Sequence, residues 1–170
     1  QLLTLARVEG PQDVASELFR LDQLAQQVLA DFTPEAMRRG QTLELLAPEP
    51  LQVNGQSTLW HILLRNLIDN ALRYSPNGAT VRIQAQRLEG GQMEVTVQDS
   101  GPGLSPDDLA RLGERFFRVL GTSATGSGLG WSIVRHIAAL QRIDVQVGKS
   151  IDLGGLQVTL RYAQNASQYS

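Results

Sequence analysis

Residues 80–99 read TVRIQAQRLEGGQMEVTVQD, and their pattern decides how the chain folds. Apolar and polar residues alternate with a period of two on both sides of Glu89-Gly90-Gly91, as in a half-buried strand. Two such strands joined by a short glycine-containing turn predict an antiparallel β-hairpin. One face of this hairpin therefore needs a covering layer from the flanking segments.

The segments on both sides of the hairpin have the period of amphipathic helices. From Gln56 to Tyr74, the stretch that includes STLWHILLRNLIDNALRY places its apolar residues along one broad helical face, and Ser75-Pro76-Asn77-Gly78 ends the pattern. Residues 132–140, SIVRHIAAL, predict a second helix downstream of the hairpin.

An earlier helix is predicted from LAQQVLADFTPEAMRRG, residues 24–40. Asp22 has a side chain suited to the N-cap, Pro34 predicts a kink, and Gly40 predicts the end of the helix.

Further strands are predicted for short segments with the strand pattern: residues 17–20, 42–47 (TLELLA), 51–55 (LQVNG), 143–148 (IDVQVG) and 156–162 (LQVTLRY). We expect 42–47 and 51–55 to form a strand pair, separated by Pro48 and Pro50. The sum is an α+β fold, a two-layer α/β sandwich with one mixed, mainly antiparallel sheet and helices on one face.

Composition limits the possible function. The 170 residues are 42% hydrophobic and 19% charged, as in ordinary globular domains. A net charge of −2 and a pI near 5.7 provide no basic field, so no nucleic-acid partner is expected. The chain has no cysteine, which excludes disulfides and thiolate metal sites.

Residues 126–130 read GSGLG and lead directly into a predicted helix. A phosphate-binding P-loop would need a lysine after its second glycine, and a dinucleotide or protein-kinase loop would need a glycine where Trp131 stands. Two interpretations stay open. The glycines bring backbone amides and a helix start to an anion, or they form a tight packing turn.

A polar stripe lies on the helix predicted at 56–74. Asn66, Asp69, Asn70 and Arg73 have the spacing of one helical side, which we expect to lie opposite the apolar face. Carboxamide oxygens can ligate a hard cation such as Mg²⁺ when it bridges phosphates. The alternative is an ordinary solvated helix face.

Asp99-Ser100-Gly101-Pro102-Gly103 follows the second strand of the hairpin. An aspartate at a strand end, beside glycines that open a pocket, can accept a hydrogen bond from an exocyclic amine such as that of adenine. The alternative is an Asx-type turn that closes the strand.

Residues 100–126 read as a long, partly ordered loop with one short helical stretch, LARLGERFF at 109–117. Within this loop, ERFFR at 114–118 brackets two aromatics with arginines, which suits anchoring on the core and contact with phosphate oxygens. The alternative is a short amphipathic helix with solvated charges. A loop of this length inside a compact domain is usually functional.

In chain order, NLIDNALRYS, DSGPG, ERFFR and GSGLG resemble the N, G1, F and G2 boxes of the ATP-binding domain of bacterial sensor histidine kinases. The resemblance covers roughly residues 15–162, is greatest to sensor kinases of the QseC type, and implies the sandwich fold shared with gyrase, Hsp90 and MutL-type ATPases. Residues 1–10 resemble the end of the second helix of a dimerisation and phosphoacceptor domain, and 163–170 would form a C-terminal tail.

The resemblance implies roles for individual residues. Asn66 and Asn70 would face the triphosphate of ATP, with Asn70 as the Mg²⁺ ligand and Asp69 beside them. Arg73 would meet phosphate, and Tyr74 would pack near the base or sugar. The remaining implied contacts are Asp99 with the adenine amine, Gly101 and Gly103 with the ring, Arg118 with the γ-phosphate, and Thr125, Gly126, Ser127, Gly128, Leu129 and Gly130 with the phosphate chain and pocket wall. Asn66 and Arg118 would be the catalytic pair.

The chain departs from the family pattern in two ways. Trp131 stands where a smaller aliphatic residue is usual, and no basic residue lies between 119 and 126. Arg115 and Arg118 would therefore supply the positive charge of the loop.

The implied reaction is transfer of the γ-phosphoryl group of ATP to a histidine on an upstream domain. The phosphoacceptor segment of the form His-Glu-Leu-Arg does not occur, and His61 and His136 lack its acidic neighbour. We therefore expect ATP binding without self-phosphorylation. The implied partners are the phosphoacceptor and dimerisation domain, a second receptor copy and a response regulator, and the implied location is the cytoplasmic side of an inner-membrane protein.

Three alternatives stay open beside the histidine kinase. An ATP hydrolase of this fold would carry a glutamate base at the position of Asn66, and a carboxamide cannot take a proton at neutral pH. A serine kinase of the same fold would share the four boxes. A non-catalytic binding module would use the fold to contact a partner.

Overall fold

The computed structural model describes residues 15–112 and 129–163. Within these ranges, the elements in chain order are β1 (Glu17–Arg20), α1 (Leu21–Arg38), β2 (Thr42–Leu46), β3 (Gln52–Gly55), α2 (Ser57–Tyr74), β4 (Thr80–Arg87), β5 (Met93–Asp99), α3 (Pro106–Arg111), α4 (Leu129–Gln141), β6 (Asp144–Lys149) and β7 (Leu156–Tyr162). The predicted α+β sandwich is confirmed.

The main sheet has the strand order β2-β4-β5-β7-β6. The predicted hairpin is its β4–β5 pair, in a register that sets Val81 opposite Asp99. β2 runs parallel to β4, while the other neighbours in this sheet pair antiparallel. A parallel pair needs a crossover connection, and α2 lies in the connection between β2 and β4. In the strand order given above, β5 is the central strand of the five.

The two faces of the sheet differ in polarity because side chains alternate along each strand. Val81, Ile83, Val95 and Val97 are buried and belong to one core cluster with the apolar residues of α1, α2 and α4. The opposite face carries polar and charged side chains, with ion pairs between Arg82 and Glu44 (2.7 Å) and between Arg161 and Glu94 (3.1 Å). The helices therefore cover one face, as predicted.

The predicted pairing of residues 42–47 with 51–55 is wrong. Both segments are strands, but β2 pairs with β4 and β3 pairs antiparallel with β1 in a separate two-stranded sheet. Pro48 and Pro50 lack N–H donors, so the connection between the two segments cannot supply the ladder of backbone hydrogen bonds that a hairpin would need there.

The prediction of Asp22 as an N-cap is also wrong. α1 begins at Leu21, directly after β1, and Arg20 occupies the cap position without a side-chain cap. The N–H of Leu21 instead donates to the carbonyl of Leu51 (2.8 Å). Asp22 lies in the first turn, where it accepts from Arg20 and from the N–H of Leu51 (3.0 Å). Its carboxylate therefore ties the helix start to the segment before β3.

Other boundaries follow the sequence closely. α1 runs through Pro34 and ends at Arg38, with Gly40 in the left-handed region at φ +62°. The stretch predicted to be helical at 109–117 is described only as far as Leu112: α3 begins at Pro106, where Ser105 caps the N–H of Asp108 (3.2 Å), and ends at Arg111. Residues 113–117 lie outside the described residues, as do 1–10 and 164–170.

None of the helices within residues 15–112 and 129–163 is both long and apolar enough to cross a membrane.

Candidate functional site

Asp99 ends the central strand on the face that the helices cover. It shares this face with Val95 and Val97, and its residue exposure is 4%. Its Oδ1 accepts hydrogen bonds from the backbone N–H groups of Gly101 (2.9 Å) and Leu156 (3.2 Å). Burial raises the pKa of Asp99, and these two N–H donors act against that rise.

A cavity of about 580 Å³, including its open mouth, lies beside Asp99. Its walls are mainly apolar, and its lining residues are Leu67, Asn70, Ala71, Tyr74, Val97, Asp99, Gly103, Leu104, Leu112, Trp131, Leu156 and Val158. Within the described residues, both hydrogen bonds to the Asp99 carboxylate go to Oδ1, which leaves Oδ2 available to a ligand. An apolar cavity with one buried acceptor suits a flat heteroaromatic ring that carries an N–H donor.

Asn66 and Asn70 lie where α2 meets the start of α4. A Cβ added to Gly130 would lie 3.2 Å from Asn70 Oδ1 and 3.5 Å from Asn66 Oδ1. Asn66 is buried, and its Nδ2 donates to the carbonyl of Ile62 (2.8 Å). The expectation that the polar stripe lies opposite the packed face is therefore wrong for Asn66, because α4 presses against it. The alternative interpretation of this stripe as a wholly solvated helix face is therefore excluded.

Asn70 has the chemistry of a cation ligand. Its Nδ2 is buried without a hydrogen-bond partner in the described part of the chain, although the residue lines the cavity. An unpaired buried amide group is unfavourable, and a half-turn of the carboxamide would exchange the positions of its nitrogen and oxygen. An oxygen turned outward in this way fits a hard cation such as Mg²⁺ that also binds phosphate oxygens.

Arg73 and Asp69 form an ion pair one helical turn apart on α2 (3.0 Å). Both side chains are partly exposed, so solvent weakens the attraction between them. Tyr74, the last residue of α2, lines the cavity, and its contact with a base or sugar stays a prediction.

The end of α2 is held by two residues, Arg39 and Gln41, that no sequence pattern marks as part of the site. Arg39 donates to the carbonyls of Leu72 (2.6 Å) and Ser75 (2.8 Å), and the buried Gln41 side chain donates to the same two carbonyls (both 3.1 Å). These donors satisfy helix-end carbonyls and fix the turn that carries Tyr74.

The glycines after Asp99 have different structural reasons. A Cβ on Gly101 would lie 3.0 Å from Asp99 Oδ1 and 3.2 Å from the carbonyl of Tyr74, so this glycine allows close approach. Gly103 lines the cavity and has φ +73°, a conformation that side chains disfavour. Gly101 and Gly103 therefore both lie beside Asp99. Gly101 makes room for the carboxylate, whereas Gly103 forms part of the cavity wall.

Trp131 is the third residue of α4 and directly follows Gly130. Its exposure is 8%, and it forms part of the cavity wall. Its bulk thus fills the core beside the site. The sequence contains a signal for this role, because Trp131 follows the last glycine at a position where the family usually has a smaller aliphatic residue.

Several predicted site residues lie outside the described residues: Arg115, Arg118, Thr125, Gly126, Ser127 and Gly128. Leu129 opens α4, and Gly130 follows it. His61 on α2 and His136 on α4 are half-buried.

Comparison with known proteins identifies the family. Residues 55–165 match the histidine kinase-, DNA gyrase B- and HSP90-like ATPases. The chain belongs to this family. The match extends from β3 beyond β7, so it includes both asparagines of α2 and Asp99.

Among relatives of this ATPase family, the chain is 40% identical over 167 residues to the sensor protein QseC of Salmonella typhi. That alignment covers 95% of this chain and 35% of the relative, so the chain spans about a third of its length. The expected resemblance to QseC-type sensor histidine kinases is confirmed.

Solved structures of histidine kinases have the same fold as this chain. Full-length ShkA in complex with AMPPNP superimposes with a TM-score of 0.81 at 26% identity, over 95% of this chain and 34% of that one. The cytoplasmic segment of histidine kinase QseC superimposes with a TM-score of 0.63 at 27% identity, over 97% and 89% of the two chains. The fold is that of histidine kinase ATP-binding domains.

Proposed function

We propose that this chain is the catalytic domain of a sensor histidine kinase, which binds ATP with Mg²⁺ and presents the γ-phosphoryl group to a histidine on another domain. The observation that carries the proposal is Asp99, a buried carboxylate with one oxygen available at an apolar cavity that Asn70 also lines. The nucleotide ligand of the ShkA structure supports it, since that protein shares the fold.

The cavity would hold the adenine ring. Oδ2 of Asp99 accepts the hydrogen bond of the exocyclic amine, while Tyr74, Trp131 and the aliphatic lining exclude water from the ring. A charged acceptor in a desolvated cavity gives a stronger hydrogen bond than the same group in water. This contact selects the base and carries no part of the phosphoryl chemistry.

Asn70 would ligate Mg²⁺, which supplies neutralisation of the phosphate charges when bound. Arg73 would leave Asp69 to contact a phosphate, and Arg118 and residues 125–130 would complete the phosphate site. With the triphosphate held at two ends, catalysis is mainly positioning and charge stabilisation.

Asn66 favours phosphoryl transfer over hydrolysis. Its amide donates to the Ile62 carbonyl and packs against Gly130, so it supplies neither a carboxylate base nor a mobile side chain. An attacking water would need such a base. The nucleophile is instead an imidazole nitrogen of the acceptor histidine, which forms the P–N bond as the bond to the leaving ADP oxygen breaks.

The partners follow from the relatives. A sensor protein such as QseC implies a phosphoacceptor and dimerisation domain, a dimeric receptor and a response regulator. We place this chain on the cytoplasmic side of an inner-membrane receptor. Residues 1–10 would join it to the phosphoacceptor domain, 15–162 would form the ATP-binding domain, and 163–170 the tail.

The decisive experiment is calorimetric titration of the chain with ATP, with and without Mg²⁺. Saturable binding that strengthens with Mg²⁺ is expected, and absence of binding in both conditions would leave a non-catalytic module. Radiolabelled ATP then tests the reaction: label should appear on an added phosphoacceptor domain and stay absent from the chain alone. Label on His61 or His136 would contradict the assigned division of roles.

A further inference from the structure

The loop between β6 and β7 lies against Asp99. The N–H of Gly155 donates to the backbone carbonyl of Asp99 (3.0 Å), and the N–H of the next residue, Leu156, donates to its Oδ1 (3.2 Å). Oδ1 is thus held between two amides from different segments, since Gly101 donates to the same oxygen (2.9 Å). Its carboxylate has one oxygen fixed by backbone and one oxygen left for the cavity.

Gly155 is the residue that permits this approach. A Cβ there would lie 2.2 Å from Asp99 Oδ1, 2.4 Å from the Asp99 carbonyl oxygen and 2.8 Å from the Gly101 nitrogen. Two of these three atoms are backbone atoms, which cannot turn aside as the end of a flexible side chain can. The φ of Gly155 lies outside the left-handed region, so the requirement for glycine here is purely one of space.

A second residue, Ser150, anchors the same loop. Ser150 is fully buried, its hydroxyl donates to Gln98 Oε1 (2.7 Å), and it accepts from the N–H of Leu153 (3.0 Å). Its backbone N–H donates to the carbonyl of Gly155 (2.7 Å). Because Gln98 precedes Asp99 on β5, the loop is fastened to the same strand that carries the carboxylate.

We propose that Gly155 is a positioning residue for base recognition. It lets the backbone of residues 155–156 hold Oδ1, and this fixes the rotation of the Asp99 carboxylate so that Oδ2 selects a base with an amine at that edge. The inference rests on the proposed adenine contact of Asp99 and adds a determinant 56 positions further along the chain. Ser150 supports the same positioning of the carboxylate because it anchors the loop that contains Gly155.

The test compares two nucleotides that differ at one group. Purine riboside triphosphate is ATP with hydrogen in place of the 6-amino group, so the ratio of its affinity to that of ATP reports recognition of the amine. In Gly155→Ala we expect ATP affinity to fall at least tenfold and that of purine riboside triphosphate by less than threefold, measured by calorimetry. A general loosening of the fold would weaken both nucleotides alike.

Two other glycines provide matched controls. Gly148 has open space where a Cβ would stand and no left-handed φ, so Gly148→Ala should change neither affinity. Gly154 lies in the same loop with φ +87° and open space, so Gly154→Ala strains the loop without touching Asp99. It should lower stability and keep the preference for ATP.

The outcomes separate this inference from the proposed function. If the wild-type chain binds nucleotide without preference for ATP, the adenine contact itself is wrong. If Asp99→Asn loses the preference and a folded Gly155→Ala keeps it, only the positioning role is overturned. Should Gly155→Ala fail to fold by circular dichroism, Ser150→Ala decides: a preference reduced at least threefold supports the role of the loop, and an unchanged one refutes it.

Discussion

Replacing Asp99 with asparagine exchanges a single atom at the candidate base site. Asparagine keeps an oxygen that can accept from the N–H groups of Gly101 and Leu156, which now donate to Oδ1 (2.9 and 3.2 Å). The NH₂ group then takes the place of Oδ2 and faces the cavity. Burial raises the pKa of Asp99 because desolvation penalises its charge, and a neutral amide removes that penalty while it keeps an acceptor for both N–H groups.

The size of the effect follows from the bond that is lost. A hydrogen bond to a charged acceptor contributes about 1.5–3 kcal/mol, and the variant sets an NH₂ donor against the amine donor of adenine. A loss of that size lowers ATP affinity roughly 10- to 150-fold. Purine riboside triphosphate lacks the amine, so its affinity should change by less than threefold.

Calorimetry on two proteins and two nucleotides completes a cycle that isolates this one contact. The wild-type chain should prefer ATP, and Asp99→Asn should bind both nucleotides about equally. Thermal unfolding of the variant checks that the fold is intact. Equal ATP affinity in both proteins, or an equal loss for both nucleotides, would refute the assignment of Oδ2 to the adenine amine.

Asn70→Ala should remove most of the Mg²⁺ dependence of ATP affinity in titrations with and without the cation, and an unchanged dependence would place the cation elsewhere. ATP should alter the fluorescence of Trp131 in Trp60→Phe, where it is the remaining tryptophan of two; a spectrum insensitive to ATP contradicts its place in the cavity wall. The Arg20 hydrogen bond, with the Leu51 N–H, lowers the pKa of Asp22 to about 2. The pKa of an aspartate in the unfolded chain is about 3.9. The stabilisation that ionised Asp22 contributes is therefore fully present above that pH and is lost as the pH falls toward 2. Asp22→Asn should therefore lower the free energy of unfolding by about 1 kcal/mol at pH 7 and by almost nothing near pH 2. Urea unfolding at both values checks this, and a difference independent of pH argues against it.

Local pattern was sufficient for most of the secondary structure. The β4–β5 hairpin and helix α2 were predicted because alternation and helical period are properties of neighbouring residues, whatever surrounds them. The placement of Asp99 at the end of a strand followed from the same alternation. The order of the four motifs indicated the family that residues 55–165 match.

Pairing between distant segments was not predictable in this way. β2 and β3 each have a strand pattern, but the pattern does not name a partner, and the two strands joined different sheets. Asp22 has the side chain of an N-cap, but the helix begins one residue before it, at Leu21, whose N–H donates to the carbonyl of the distant Leu51.

The sequence by itself determined the elements, the family and the residue types of the site, because each is written in short-range spacing. The tertiary structure alone decided the environment of those residues. Asn66 is buried because Gly130 on α4 lies against it, and one carboxylate oxygen of Asp99 is held by the N–H of Leu156, which the neighbouring Gly155 allows to come close. Both facts arise from close approach between segments more than fifty residues apart, which depends on how the layers pack and leaves no periodic signal in the chain.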